Sequence, residues 1–245
     1  MLPRVAGPEM AVPRARTGGM RFAPLVLAAC SVALPALAAH ETRSVSGFTR
    51  IELSAPVDLE VRPGKFGATL DMDEDVARHL TTEVHGDTLQ IALHGMNLGP
   101  KKKQRIQVTM PELRAVHIQG SGDADLAGFK DQEKIDLRIS GSGDIRFSGT
   151  AAGIAVAIEG SGDVVLAQGQ AGSLQARIQG SGNLRAADFK ARNVSVAVDG
   201  SGDADIRVSG GALSLSVNGS GDIRWAGDAS AVSTATHGSG SIARR

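Results

Sequence analysis

Acidic residues recur at one position of a repeated tripeptide, and regularly spaced carboxylates are candidate calcium ligands. The tripeptide is Gly-Ser-Gly, and it is followed by aspartate in five copies and asparagine in one: Asp123, Asp144, Asp163, Asn183, Asp203 and Asp222. Calcium binds six to eight oxygens, and β-roll proteins supply them from a nine-residue Gly/Asp repeat. Here each copy, about 20 residues from the next, supplies one aligned carboxylate. The pattern favours aspartates that bond backbone N–H groups at a turn, so no cofactor is predicted and calcium remains the alternative.

The serine of each tripeptide is a second candidate for chemistry, as a nucleophile. A nucleophile elbow needs Gly-x-Ser-x-Gly at a strand-to-helix turn, which a bare Gly-Ser-Gly does not provide. The serine also recurs seven times, at Ser121, Ser142, Ser161, Ser181, Ser201, Ser220 and Ser239. The six histidines do not cluster in sequence, which argues against a zinc site. We therefore predict no catalytic residue and no metal site, and that the protein is not an enzyme.

The spacing of the tripeptide predicts a solenoid. Successive copies begin 21, 19, 20, 20, 19 and 19 residues apart, and a fixed period of this size indicates coils that bury their apolar faces against their neighbours. Glycine tolerates positive φ and close backbone approach, which the corners of stacked coils require. The predicted corner residues, besides the aspartates and Asn183, are Gly120, Gly122, Gly141, Gly143, Gly160, Gly162, Gly180, Gly182, Gly200, Gly202, Gly219, Gly221, Gly238 and Gly240.

Apolar residues alternate with polar or small ones on both sides of each corner. Ile154, Val156 and Ile158 precede one tripeptide, and Ile145 and Phe147 follow another. This period of two is typical of strands with one buried face. We predict an all-β fold, a single-stranded parallel β-helix or β-solenoid with about 20 residues per coil and a right-handed path.

Two further features of the repeats concern charge and the final copy. Outward charges of opposite sign are expected to pair between neighbouring coils, as Asp125 with Arg146 and Asp205 with both Arg185 and Arg224. In the final copy Thr234 and Thr236 replace aliphatic residues, and Ser241 is placed at an aliphatic position. A polar terminal repeat is typical of a solenoid cap, and a frayed end is equally consistent with it.

The amino terminus has the pattern of an export signal. An apolar run from Phe22 ends at Ala36-Leu37-Ala38, an A-x-A cleavage site, so residues 1–38 are predicted to be a signal peptide whose start could be Met20. Residues 39–44 are predicted as a short linker, 45–110 as opening strands or a cap, with a possible short helix within 75–84. Residues 111–240 are predicted as the repeats and 241–245 as a tail. Pro24 and Pro35 interrupt the run and argue against a permanent membrane span.

Cys30 is the one cysteine, and Leu27-Ala28-Ala29-Cys30 resembles a bacterial lipoprotein processing box. The favoured interpretation is a small apolar residue inside the signal, with lipidation as the alternative. Cleavage after Ala38 would leave 22 basic and 25 acidic residues. A slightly acidic chain lacks the basic footprint of a nucleic-acid-binding protein, and the basic run Lys101–Lys103 is expected in an exposed loop.

The order of motifs in the segment before the repeats resembles that of a known protein family. Its opening strand has Phe48 and Ile51, Val57-Asp58-Leu59-Glu60-Val61 precedes Gly64, and Gly86-Asp87-Thr88-Leu89-Gln90-Ile91 leads toward the Gly-Ser-Gly-Asp coils. This order resembles the head GIN domain of putative autotransporter adhesins, a bacterial envelope family, over about residues 45–240. The resemblance implies a β-helix-like fold, export and an adhesive role, and it transfers no catalytic or binding residue.

These observations predict an exported, noncatalytic β-solenoid of the bacterial envelope, in the periplasm or at the cell surface. Its expected partner is an envelope protein or a surface glycan, and it could oligomerise through the solenoid ends. It is not expected to bind nucleic acid or to be an integral membrane protein. Two alternatives stay open: a periplasmic scaffold or sensor-associated protein, and a polysaccharide-active β-helix enzyme that uses outward acids such as Asp125 or Asp205.

Overall fold

The computed structural model describes residues 38–95 and 104–245, which form strands and one short helix. The predicted signal peptide up to residue 37, with Cys30, and the basic run Lys101–Lys103 lie outside the described residues. The opening elements are β1 (Ala38–Arg43), β2 (Arg50–Ser54), β3 (Asp58–Pro63), β4 (Gly67–Asp73), α1 (Glu74–His79), β5 (Leu80–His85), β6 (Thr88–Leu93), β7 (Arg105–Met110) and β8 (Ala115–Gly120). The coils that follow are β9 (Asp123–Gly141), β10 (Ile145–Gly160), β11 (Val164–Gly180), β12 (Leu184–Gly200), β13 (Ala204–Ser209), β14 (Ala212–Gly219), β15 (Asp222–Asp228), β16 (Ala231–Gly238) and β17 (Ser241–Arg244).

Successive coils pair in parallel, in the register that the tripeptide defines. Strand β10 lies between β9 and β11, and its Gly160 is opposite Gly141 on one side and Gly180 on the other. The first glycine of each tripeptide therefore stacks on the first glycine of the neighbouring coils. The predicted parallel β-solenoid with about 20 residues per coil is confirmed, and its right-handed path stays a prediction.

The interior of the solenoid is filled by the residues that the alternation placed inward. Ile145, Phe147, Ile154 and Ile158 are all buried, and most coils contribute the same positions to one continuous core. Burial of this apolar surface is the main force that holds the coils together, at roughly 25 cal/mol per Å².

The opening segment does not stack in the order of its sequence. Strands β2 and β3 form a complete coil that pairs in parallel with β8 and β9, the first tripeptide coil, while their other edges pair in parallel with β6 and β7. Strands β4 and β5 then add antiparallel to β7 and β6. The coil formed by β2 and β3 therefore lies between strands β6 and β7, at the opening end, and strands β8 and β9 of the first tripeptide coil.

Three expectations for the two ends were wrong in detail. The helix expected within 75–84 covers Glu74–His79, because the residues from Leu80 join β5 and pair with β6. The predicted linker 39–44 forms most of β1, which pairs antiparallel with β4. The predicted tail 241–245 contains β17, paired in parallel with β15.

The opening end of the solenoid is covered, whereas the closing end is not. At the opening end Arg43 donates to the carbonyl oxygens of Leu80 at 2.6 Å and Ala77 at 2.8 Å, which fixes β1 against α1 and β5. At the closing end every residue of β16 is exposed, including Val232 with 51% of its surface accessible.

Candidate functional site

From the second corner on, both glycines of each corner are required by the close approach of neighbouring backbones, and the first is also required by its conformation. The first has positive φ, 132° at Gly160, a conformation that side chains rarely adopt. The second glycine does not have positive φ. A Cβ on Gly162 would instead lie 2.0 Å from the carbonyl oxygen of Gly143 in the preceding coil. The second glycine is therefore required by the close approach of two backbones.

The residue after each corner forms a ladder of hydrogen bonds along the rod. The backbone N–H of Asp144 donates to Oδ1 of Asp123 at 2.9 Å, and that of Asp163 donates to Oδ1 of Asp144 at 2.8 Å. Asn183 continues the ladder, because its N–H donates to Asp163 and its Oδ1 accepts from the N–H of Asp203 at 2.9 Å. Each side chain thereby satisfies a backbone donor of the next coil.

The ladder ends at Ser241, which corrects an expectation about the last coil. Ser241 was placed at an aliphatic position, but it lies opposite Asp222, and Ile242 takes the aliphatic position opposite Ile223. The Ser241 hydroxyl donates to Oδ1 of Asp222 at 2.7 Å and its N–H does so at 3.0 Å. These two bonds, the hydroxyl first, lower the pKa of the Asp222 carboxyl, and Arg224 adds a smaller effect in the same direction.

The ladder gives the repeated aspartates a structural role that needs no metal. One oxygen of each carboxylate up to Asp163 already accepts a backbone N–H, and the second oxygen of Asp163 lies 2.8 Å from Nη2 of Arg185. Within residues 38–95 and 104–245, no three His, Cys, Asp or Glu side chains are grouped so that they could hold an ion. The seven tripeptide serines are exposed at the same corner of the rod.

The outward charges lie in neighbouring coils as predicted, but they form other ion pairs. Asp125 is opposite Arg146 and Asp205 is opposite Arg185 and Arg224 in the strand register. The short contacts run elsewhere: Arg62 to Asp125 at 2.7 Å, Arg185 to Asp163 at 2.8 Å, and Arg245 to Asp205 at 2.8 Å. Exposed pairs of this kind contribute about 0.2–1 kcal/mol each.

Two polar grooves open on the outside of the solenoid. The first, of about 540 Å³, is lined by Glu60, Arg62, Arg105, Asp125, Arg146 and their neighbours, and we call it the arginine groove. The second, of about 510 Å³, has Asp131, Thr150, Gln170, Lys190 and Arg192 in its lining. None of the described side chains that line either groove is aromatic. Open polar grooves suit a polar macromolecular partner better than an enclosed small substrate.

Arg62 is held in place within the arginine groove. Its Nη2 atom lies 2.8 Å from Oε1 of Glu60 and 2.7 Å from Oδ1 of Asp125, and its Nη1 atom donates to the carbonyl oxygen of Asp125 at 3.0 Å. Arg146 lies beside Asp125 in the next coil. The groove thus presents a fixed guanidinium between two carboxylates, next to a second arginine.

These features define an all-β protein whose stacked parallel coils present outward polar columns. Within the described residues, no helix combines the length and the hydropathy needed to cross a bilayer. Residues 47–229 match the family described as putative auto-transporter adhesin, head GIN domain, and the chain belongs to this family. No curated protein matches the chain in sequence.

Several solved structures share the fold. A putative adhesin from Bacteroides fragilis superposes with a TM-score of 0.79 and 22% sequence identity, over 85% of this chain and 97% of that one. A putative adhesin from Parabacteroides distasonis gives a TM-score of 0.69 at 20% identity, over 86% and 98%. A putative lipid binding protein from the same species gives 0.61 at 22% identity, over 84% and 96%. At these identities the likeness concerns the fold.

Proposed function

We propose that this protein is an exported, noncatalytic adhesin module of the bacterial envelope, which binds a partner protein or a surface glycan through the arginine groove. The observation that carries the proposal is the position of Arg62 between Glu60 and Asp125. A guanidinium already fixed by two carboxylates loses little conformational entropy when a polar partner binds. The charges of both signs offer donors and acceptors for hydroxyl or carboxylate groups.

Family membership supports adhesion and argues against catalysis. The groove does not resemble an active site, since its carboxylates Glu60 and Asp125 are held by ion pairs with Arg62 and the groove is open to water. The lipid-binding name of one structural relative finds no counterpart in the interior of this solenoid, which is filled by apolar side chains. A lipid would have to bind on the outside of the solenoid.

A binding experiment tests the groove. We expect the purified protein to bind a cell-surface preparation or members of a glycan panel, and Arg146→Glu to weaken binding at least about tenfold, which corresponds to 1.4 kcal/mol. Arg138→Glu is the matched control, because Arg138 is exposed, pairs with Glu159 and does not line the groove. Equal effects of the two substitutions would reject the arginine groove as the binding site.

Turnover and location are tested separately. Release of sugar products from a polysaccharide panel, lost in Asp125→Ala or Asp205→Ala, would show that the protein is an enzyme instead.

Protease digestion on intact cells, with mass spectrometry of the mature amino terminus, tests export. We expect external digestion and a first residue of Ala39, or a lipidated Cys30 if the protein is anchored. Protection until the outer membrane is opened would favour the periplasmic scaffold.

A further inference from the structure

The last coil leaves the interior of the solenoid open. Val232, Thr234 and Thr236 lie opposite Leu213, Leu215 and Val217 in the parallel register of β16 with β14. The three partners are at most 2% exposed and face the core, whereas all of β16 is exposed. The inward positions of β16 therefore align with the core of the preceding coil, but within the described residues no further coil covers them. In the described residues, β16 pairs with β14 along one edge, and no pairing is made along its other edge.

Strand β16 lacks the devices that normally protect an exposed edge. Natural edge strands carry lysines, prolines, bulges or inward-pointing charges that prevent pairing with another chain. Strand β16 has the sequence Ala-Val-Ser-Thr-Ala-Thr-His-Gly, without proline, lysine, arginine or an acidic residue. Eight residues of unprotected edge are long enough to form a stable ladder with a further strand.

The charges around this end have both signs. The Asp228 side chain is 98% exposed, and Arg244 and Arg245 lie at the same end of the chain. A partner with one sign of charge would be repelled by part of this rim, whereas the rim of a second copy has the same balance of both signs. The uncharged β16 adds no repulsion when it meets itself. The end is therefore suited to a second copy of this chain.

The covered opening end decides how two copies can meet. There the antiparallel strands β1, β4 and β5, with α1 and the Arg43 hydrogen bonds, lie over the coil edges. Head-to-tail stacking would require that end to receive β16, and it would also propagate into a filament. Pairing of two closing ends gives a closed, two-fold arrangement.

We propose that two copies of this protein form a two-fold dimer through antiparallel pairing of β16 with β16 of the second copy. With the two-fold axis near Thr234, the inward positions of both copies lie on one continuous sheet face, and Val232, Thr234 and Thr236 become buried. Cross-strand threonine pairs are favourable in such a sheet. The resulting rod has an opening end at each extremity and is twice as long as one protomer. The dimer does not depend on the function proposed above.

Sedimentation velocity over a range of protein concentrations tests the dimer. We expect the mass of two protomers at high concentration, and Thr234→Lys to raise the dissociation constant at least about tenfold, because it places an inward charge on the edge. Ser216→Lys is the matched control, since Ser216 is exposed on the outward face of the preceding coil. A single protomer mass at every concentration, or equal effects of both variants, would overturn the proposal.

A measurement on the unchanged protein guards against misfolding of the variant. Hydrogen exchange of the amides in Ala231–Gly238 should slow as the protein concentration rises, because the new ladder occupies their edge. The amides of β5, at the covered end, should not respond to concentration. If the slowing appears in β5 rather than in β16, the dimer uses the other end and the proposal is wrong.

Discussion

The backbone N–H of Asp163 donates to the Oδ1 atom of Asp144 at 2.8 Å, and this bond helps to join the corners of two successive coils. The same bond recurs along the rod, with asparagine or serine in place of aspartate at two positions. A parallel sheet already pairs the backbones on either side of the corner. The ladder extends that pairing through the turn itself, where a sheet would otherwise leave a donor without a partner.

The ladder predicts a difference between two substitutions at Asp144. In Asp144→Asn the amide oxygen can still accept the N–H of Asp163, as Asn183 does for Asp203. In Asp144→Ala that donor loses its partner, so we expect a loss of about 1 kcal/mol in the free energy of unfolding. Denaturant unfolding measures both. A loss as large in Asp144→Asn would show that charge, rather than the hydrogen bond, is what matters.

The second corner glycine predicts a large effect from one methyl group. A Cβ in Gly162→Ala would lie 2.0 Å from the Gly143 carbonyl oxygen, so two backbones must move apart. We expect a loss of at least about 2 kcal/mol in unfolding free energy. The control Ser161→Ala changes the exposed neighbouring hydroxyl and should stay within about 0.5 kcal/mol. Unchanged stability of Gly162→Ala would contradict the close approach of the coils.

The lowered pKa of Asp222 predicts a pH-dependent contribution at the closing end. A carboxyl whose pKa is lower in the folded state stabilises the fold above its ordinary pKa, about 3.9. That contribution is lost as the pH falls through the lowered, folded-state pKa. Since the Ser241 hydroxyl is the largest cause, Ser241→Ala should raise the pKa of Asp222 toward its ordinary value.

An NMR titration of the Asp222 carboxyl in both proteins checks this expectation. Ser239→Ala, which removes an exposed hydroxyl in the same coil, is the control and should leave the titration unchanged. The stability difference between the unchanged protein and Ser241→Ala should also shrink at acidic pH, where Asp222 is protonated in both. A difference that stays constant down to that range would show that Ser241 acts through packing.

The buried phenylalanines predict where the core is sensitive. Phe147 is fully buried, and its ring centre lies 6.3 Å from that of Phe189. We expect Phe147→Ala to lower the unfolding free energy by about 3–5 kcal/mol, because it leaves a cavity. Phe66, which is 38% exposed and packs on Phe48, provides the comparison. Phe66→Ala should lower the unfolding free energy clearly less than Phe147→Ala does. Thermal unfolding would separate the two.

The repeats could be predicted from sequence because their signals are local. The alternation around Ile154 and Ile158 and the glycines of each corner lie within a few residues of one another, and the period aligns the copies. The same reasoning failed for Ser241, because the inward residue was counted one position too early. It also missed Phe129 and Phe189, which share a column with Gly149 and Gly169. That column follows a stretch whose length varies between coils.

The opening segment could not be ordered from its sequence. Ile51 and Leu53 alternate in the same way whether the strand pairs with β6 or with β8, and it pairs with both. Pairing of Leu53 with Ile118 joins residues far apart in the chain, and nothing local specifies it. Likewise, the arginine groove combines Arg62 with Asp125, which belong to different strands. The folded coils bring these residues together, and their positions in the sequence do not indicate it.

The corner ladder also makes the corners of the coils interchangeable. Each corner offers one acceptor to the coil after it and one donor to the coil before it, so an internal coil meets the same partners on both sides. Loss or duplication of about 20 residues between two tripeptides would rejoin the ladder without a mismatch. The number of coils, and with it the reach of the rod, is therefore a property that unequal recombination can adjust one step at a time, while both ends stay as they are.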